Sequence, residues 1–303
     1  HRLSVIHPSD QGHQPMVNPA GTIVLAFNGA VYNAFDFKPE LEAAGVRFRS
    51  KTDTEVLLHL YERYGLDGLL GRLNGMFAIV IADLRSREVH IARDHFGIKP
   101  LYWTRAGSRV LFASEAKAYR AHPAFTAAVD EDHLDEHLAF RYVAGEASLL
   151  KGVRQLRPGH RLRITPDGVA TIRYWSIPDA GEKARLTRPE AVDQLDALMR
   201  RSVGSQLLGD VKVGCQLSGG IDSSLVTVFA SAHAGADMEA FSVVFDDARF
   251  SEDRWIGEAA AAAGTESHRF LFSEASFTRP LELASWHMDQ PIGHPNSLGI
   301  WLL

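Results

Sequence analysis

The sequence predicts two regions of different class. An α+β region spans residues 1–175, and an α/β region with a parallel sheet spans residues 186–303, with a linker at 176–185 between them. Three observations lead to this division. The front region is a series of short apolar runs broken by Gly, Pro, Asn and Asp, the pattern of strands and turns. The rear region alternates strand-like and helix-like segments at the spacing of crossover units. Within it, Ser218-Gly219-Gly220-Ile221-Asp222-Ser223-Ser224 follows an apolar run and opens a helix-compatible stretch, so strand, tight glycine loop and helix succeed one another.

In chain order, strands are expected at 23–27, 77–83, 89–93, 101–104 and 110–113, and helices at 39–44, 55–64 and 132–140. Leu156-Arg157-Pro158-Gly159-His160 leads into a closing hairpin with strands at 161–164 and 172–175. The linker is short and polar and carries Pro178 and Gly181, as inter-domain connections do. An amphipathic helix follows at 189–208. Strands at 211–217, 240–245 and 268–272 then alternate with helices at 222–233 and 252–263. Ligands in such sheets bind at the carboxyl ends of the strands. The loop at Ser218 and the Val243 segment both lie there. Neither an internal repeat nor a low-complexity tract is present.

Composition narrows the function classes. A hydrophobic share of 46% and a charged share of 23% suit a soluble globular chain, and 303 residues suit two domains. No run reaches the ~18 apolar residues of a membrane span. The single cysteine, Cys215, excludes an intrachain disulfide framework and fits the cytoplasm. It lies among Val213, Gly214 and Leu217 and reads as a buried small hydrophobe. The net charge of −5 comes without a basic cluster, so nucleic acid is not an expected partner. The 14 histidines are scattered without zinc-site spacing; His90, His95 and His268 read as structural or surface residues.

The glycine loop carries the clearest chemistry. Two glycines let the backbone approach a ligand, and the amides of the helix start favour an anion. Ser218, Ser223 and Ser224 add hydroxyl donors. Asp222 at an anion site calls for a neutralising cation, and Mg²⁺ between Asp222 and phosphate oxygens meets that need. No lysine follows the glycines, so this is not a Walker A loop. Taken alone, the stretch also reads as a serine-rich turn capping an ordinary helix. Its spacing resembles the pyrophosphate loop of the ATP pyrophosphatases.

A second group of segments lies in the front region. Asn28-Gly29 follows the apolar run 23–27 and, taken alone, reads as a hairpin turn. Further segments are Thr52-Asp53-Thr54-Glu55, Leu73-Asn74-Gly75-Met76-Phe77, Ala92-Arg93-Asp94-His95-Phe96-Gly97-Ile98-Lys99-Pro100 and Phe112-Ala113-Ser114-Glu115-Ala116-Lys117. In this order they resemble the glutaminase domain of class II glutamine amidotransferases. Joined to the Ser218 loop, the chain resembles the glutamine-hydrolysing asparagine synthetase family over nearly its whole length.

The resemblance implies an Ntn-hydrolase-like αββα sandwich followed by a Rossmann-like ATP-pyrophosphatase domain. It assigns glutamine binding to Arg2, Leu3, Ser4, Val5, Ile6, Asn28, Gly29, Ala30 and Asp53. Arg2 matches the residue that grips the glutamine carboxylate, and Asp53 the one that binds its ammonium. Asp53 is also placed to cap the helix that follows it. Asn28 and the Gly29 amide match the oxyanion hole. Leu217 and Val243 match adenosine contacts, though either position also suits core packing. Leu217, Ser218, Gly219, Gly220, Asp222, Ser223, Ser224 and Val243 together would bind ATP and pyrophosphate, with Mg²⁺ on Asp222.

Two positions depart from the family pattern. Ala30 stands where a glutamate is usual, which removes a carboxylate near the glutamine ammonium. The family attacks glutamine with an N-terminal cysteine, whereas this chain begins with His1 and its one cysteine lies in the strand feeding the nucleotide loop. The chain therefore reads as a piece truncated at both ends, with the second Ser-Gly-Glu nucleotide motif expected downstream.

The implied activity is ATP-dependent synthesis of asparagine from aspartate. Ammonia would come from glutamine by a shielded route, with β-aspartyl-AMP as intermediate and AMP and pyrophosphate as products. Expected cofactors are ATP and Mg²⁺; expected partners are small molecules and a second copy in a homodimer. Relatives that amidate or cyclise peptide, polysaccharide-linked or β-lactam precursors share the architecture. A non-catalytic paralogue sensing glutamine or nucleotide is the alternative outside the enzymes.

Overall fold

Residues 23–31 place bulky apolar side chains at alternate positions, Ile23, Leu25, Phe27 and Val31, and the backbone carries them as one uninterrupted strand. A computed structural model describes residues 5–179, 181, 185–235, 238–247, 249, 251–278 and 280–303. Arg2, Leu3 and Ser4 lie outside the described residues, as do positions 180 and 182–184 of the expected linker. The chain divides into two compact units, His1–Asp179 and Ala180–Leu303.

The strands of the first unit are β1 (Met16–Val17), β2 (Ile23–Val31), β3 (Gly75–Asp83), β4 (Glu88–Arg93), β5 (Tyr102–Ala106), β6 (Arg109–Ala113), β7 (Arg154–Gln155), β8 (His160–Thr165) and β9 (Gly168–Arg173). An antiparallel six-stranded sheet has the order β1-β2-β3-β4-β8-β9, and a smaller one the order β6-β5-β7. The helices are α1 (Lys38–Ala43), α2 (Asp53–Leu70) and α3 (Leu134–Phe140).

Layering follows from which faces are apolar. Val56, Leu57, Leu60, Tyr61 and Leu69 of α2 pack on Leu25, Phe27, Phe77, Ile79 and Ile81 of the large sheet. Each fully buried leucine contributes about 2 kcal/mol of transfer free energy. On the opposite face, Ala78, Ile91 and Leu162 meet Leu101, Trp103 and Leu156. Trp103 points inward, and its neighbour Tyr102 packs outward with Ala116, Tyr119 and Val153. This period-2 alternation gives each face of the small sheet a partner.

The second unit contains α4 (Arg188–Gln206), β10 (Gly214–Gln216), α5 (Ile221–Ala234), β11 (Glu239–Phe245), α6 (Asp253–Ala263), β12 (Glu266–Phe272), α7 (Glu274–Thr278), α8 (Leu281–Met288) and α9 (Pro295–Leu302). Strands β10, β11 and β12 form a parallel sheet in that order. Leu217, Ala240, Ile256 and Ala260 make one core cluster; Phe272, Ala284 and Leu298 make another, against Val243 and Phe245. A capping box between Thr187 and Glu190 starts α4.

Several boundaries moved. The strand expected at 211–217 keeps only Gly214–Gln216, although the Leu217 amide still donates to the Phe241 carbonyl at 2.9 Å. Lys212 is exposed and reaches Glu239 at 3.3 Å, a solvated end rather than a packed one. The helix expected at 55–64 runs from Asp53 to Leu70 through a non-helical residue, Gly65, at φ 66°. Among the described residues no helix is long and apolar enough to cross a membrane.

Candidate active sites

In the first unit the site begins with the register of β2. Asn28 faces Ala78 and Gly29 faces Phe77, deep inside the β2–β3 ladder, so the Asn-Gly step is strand and not turn. Nine consecutive pairings with β3 outweigh the local turn preference. Gly29 has φ +155°, and a Cβ there would lie 2.0 Å from the Met76 carbonyl oxygen. Only glycine fits.

The same register aims the Gly29 amide. The Phe77 amide donates to Asp94 Oδ2 at 3.1 Å and its carbonyl accepts from the Asp94 amide at 2.8 Å, so both point toward β4. Gly29 and Phe77 are therefore a non-hydrogen-bonded pair, and the Gly29 N–H turns away from β3. Its neighbours of the same parity agree. The Phe27 amide donates to Gln14 Oε1 at 2.6 Å and the Val31 amide to Asp53 Oδ2 at 3.2 Å. The Gly29 N–H thus lies between two amides along one edge of β2.

Asn28 is exposed and opens onto a cleft of about 520 Å³, also lined by Asp10, His13, Gln14, Leu101 and Ser114. Its Nδ2 donates to Ser114 Oγ at 3.0 Å. Gly29, Ala30 and Asp53 do not line this cleft. Asp53 is buried at the first position of α2, where its Oδ1 accepts from the Thr54 amide at 2.9 Å. The helix cap is Thr52, which accepts from the Glu55 amide at 3.3 Å. Of the first segment, Ile6 is buried and Val5 half-buried.

Asp94 explains the Arg93–Pro100 segment. Fully buried, it accepts from the Phe77, Phe96, Ile98 and Lys99 amides at 2.9–3.1 Å. The Arg93 guanidinium donates to the Gly97, Lys99 and Leu156 carbonyls at 2.7–2.8 Å. These two side chains hold the loop beside β3. His95 is ringed by Phe77, Tyr174 and Trp175, and burial pushes its pKa down. His90 is buried 3.2 Å from Glu88, and His268 stacks on Phe241.

Glu55 anchors the start of α2. Burial works against its charge. The His59 imidazole 3.9 Å away, with hydrogen bonds from the Ser50 hydroxyl and the Arg49 and Ser50 amides, outweighs that and holds the carboxyl at about 2, against an ordinary 4.5. A carboxyl depressed on folding adds stability above its unfolded pKa and loses it as pH falls toward the folded value. Stability is therefore expected to drop between about pH 4.5 and about 2. In denaturant melts across that window Glu55→Gln should flatten the slope; an unchanged slope would remove Glu55 as its source.

In the second unit, Leu217 ends the run from β10 and is buried, and the chain then turns through Ser218–Gly220 into α5. Gly219 has φ +83°, and a Cβ there would meet Trp255 Cβ at 3.0 Å and the Ile256 amide at 3.1 Å. The hydroxyls of Ser218 and Ser223 are 2.9 Å apart, and Ser224 Oγ donates to the Gly220 carbonyl at 2.7 Å. A cavity of about 330 Å³ opens at the carboxyl end of β10, walled by Leu217, Ser218, Ser223, Val243, Phe245 and Glu252. Asp222 is exposed in the first turn of α5 and does not line this cavity. Cys215 is half-buried 3.8 Å from Met238 Sδ, and burial pushes its thiol up.

Sequence reasoning missed Gln14, Ser114 and Glu252 as lining residues. Ser114 was visible only as part of a longer segment. Nothing in the local pattern marks Gln14, whose side chain satisfies the Phe27 amide from 13 residues away.

Comparison with known proteins bears on both units. The glutamine amidotransferase domain family matches residues 1–175, and the asparagine synthase family matches residues 194–303. Asparagine synthetase [glutamine-hydrolyzing] 1 of Bacillus subtilis is 33% identical over 303 residues, covering 100% of this chain and 47% of the relative. Asparagine synthetase [glutamine-hydrolyzing] 3 of the same organism is 34% identical over 307 residues, covering 96% of this chain and 49% of the relative. The chain spans about half the length of these curated relatives. Among solved structures, the glutamine phosphoribosylpyrophosphate amidotransferase of B. subtilis complexed with ADP and GMP aligns with a TM-score of 0.42. It is 17% identical and covers 87% of this chain and 65% of that one. On its paired domain matches, and on relatives that align along nearly the whole of this chain, the chain belongs to the glutamine-hydrolysing asparagine synthetase family.

Proposed function

We propose that the protein makes asparagine from aspartate, using ATP and ammonia released from glutamine. The reading is carried by the Ser218–Ser224 loop, set at the carboxyl end of a parallel strand beside a cavity walled by Leu217 and Val243. The aspartate β-carboxylate attacks the α-phosphorus of ATP, giving β-aspartyl-AMP and pyrophosphate. Pyrophosphate is held by the loop amides and by Ser218, Gly219, Gly220, Ser223 and Ser224. Ammonia then displaces AMP to give asparagine. Leu217 and Val243 pack against the adenosine.

The metal assignment fits the donor set. Mg²⁺ binds through one or two carboxylates plus substrate phosphates rather than in an all-protein cage. Among the described residues no group of three or more His, Cys, Asp or Glu forms such a cage, and Asp222 offers a single exposed carboxylate at the loop. Asp222 would hold the ion, which neutralises phosphate charge when bound.

In the first unit, a nucleophile attacks the glutamine amide carbon and ammonia leaves, and water then releases glutamate from the acyl-enzyme; the family resemblance makes that nucleophile an N-terminal cysteine of the full-length protein. Asn28 Nδ2 and the Gly29 N–H stabilise the tetrahedral oxyanion; two aimed donors suit an amide under attack. Asp53, tied to β2 through the Val31 amide, takes the substrate ammonium, and Arg2 takes its carboxylate. Cys215 is not assigned the nucleophile's role. The reaction would run in the cytoplasm.

The test is product analysis of the full-length gene product with aspartate, ATP and glutamine, expecting asparagine, AMP and pyrophosphate in equal amounts. Asn28→Ala should lower glutamine-dependent kcat by about 10²–10³-fold, the usual effect of losing one oxyanion donor. Ammonia-dependent synthesis should survive in that variant. AMP release with a different carboxylate, and none with aspartate, would overturn the acceptor assignment.

A further inference from the structure

We propose that Ser114 is a positioning residue of the oxyanion hole, setting the Asn28 amide for the glutamine carbonyl. The inference rests on the glutaminase reading above and assigns a role that the reading leaves open. Asn28 is on the large sheet and Ser114 follows β6 of the small one, 86 residues away, yet Asn28 Nδ2 and Ser114 Oγ are 3.0 Å apart. Both residues line the same cleft.

The physical need is specific. Asn28 is exposed, and the terminal torsion of an asparagine is broad and roughly two-fold. Left alone, its amide samples orientations that present Oδ1, whose lone pairs repel an oxyanion. The hydrogen bond from one Nδ2 hydrogen to Ser114 Oγ restrains that torsion in the orientation of this structure and leaves the second hydrogen for the substrate. Ser114 is well placed as the fixed partner. Its neighbours Leu111 and Ala113 pack against Ala116, Tyr119 and Val153, so the small sheet holds it against the rigid ladder carrying Asn28. Preorganised donors of this kind stabilise a transition state without reorganising during the reaction.

The test uses the full-length protein and four variants: Ser114→Ala, Ser114→Thr, Asn28→Ala and the double Ser114→Ala/Asn28→Ala. Ser114→Ala should lower the glutaminase kcat about tenfold, with KM for glutamine within about twofold, since the contact matters mainly in the transition state. Ser114→Thr keeps the oxygen and should restore most of kcat. In the double variant the Ser114 effect should vanish, because its only role is through Asn28. Thermal melting of Ser114→Ala should match the parent. A wild-type kcat in Ser114→Ala beside a collapsed Asn28→Ala overturns this inference alone. So does a Ser114 effect that persists without Asn28, or one confined to KM. A wild-type kcat in Asn28→Ala overturns the glutaminase reading, and this inference with it.

Discussion

Gly29→Ala is expected to destabilise the first unit by about 3 kcal/mol or more and to abolish glutamine hydrolysis. Two costs add. The Gly29 backbone, at φ +155°, lies where L side chains are strained, and the new methyl would meet the Met76 carbonyl oxygen at 2.0 Å and Phe77 Cα at 2.9 Å. The obstacle is backbone, so no side-chain rotation relieves it, and β2 and β3 must move apart. That shift also displaces the Gly29 N–H. Gly21→Ala separates the two costs: Gly21 has φ +70° with nothing within 4 Å of an added methyl, so conformational strain alone, about 1–2 kcal/mol, applies. Urea melts of both variants check this. A Gly29→Ala midpoint equal to that of Gly21→Ala would mean that the close approach of β2 to β3 is not there.

The second large effect is expected at Asp222. Asp222→Ala in the full-length protein should reduce aspartate-dependent release of AMP and pyrophosphate by at least about 10²-fold while leaving glutaminase activity intact. An acid in the first turn of a helix has an ordinary explanation, its interaction with the helix dipole, worth about 0.3–1 kcal/mol. Asp222→Asn tells the two roles apart. Asparagine in the first turn of α5 removes only the charge–dipole interaction, so stability should change by no more than about 1 kcal/mol. It is a poor metal ligand beside phosphate, so turnover should still fall. Normal pyrophosphate release by Asp222→Asn would leave Asp222 with the helix role only.

Much of the architecture was legible in the chain. Apolar runs bounded by turn signals marked β3, β4, β11 and β12 to within a few residues; β3 and β4 supply side chains to hydrophobic clusters on both faces of the large sheet, whereas β12 buries only Phe272. Illegible were features set by distant partners. The α2 region continues past Tyr64 because Leu66, Leu69 and Leu70 bury against the large sheet, which offsets the break at Gly65. Asp94 looks like an exposed charge in sequence, yet four backbone amides surround it.

By itself the sequence determined the division into a strand-rich front and an alternating rear, the placing of the Ser218–Ser224 loop between strand and helix, and the ordered segments of the family. These are local properties: period, glycine position and residue type at short spacing. Tertiary structure alone decided that Asn28-Gly29 is strand, that the Gly29 amide faces away from β3, that Thr52 rather than Asp53 caps α2, and that Ser114 meets Asn28. Each depends on register between segments far apart in sequence. A one-residue slip of β2 against β3 would reverse which amides face outward and would carry Asn28 to the other face of the sheet.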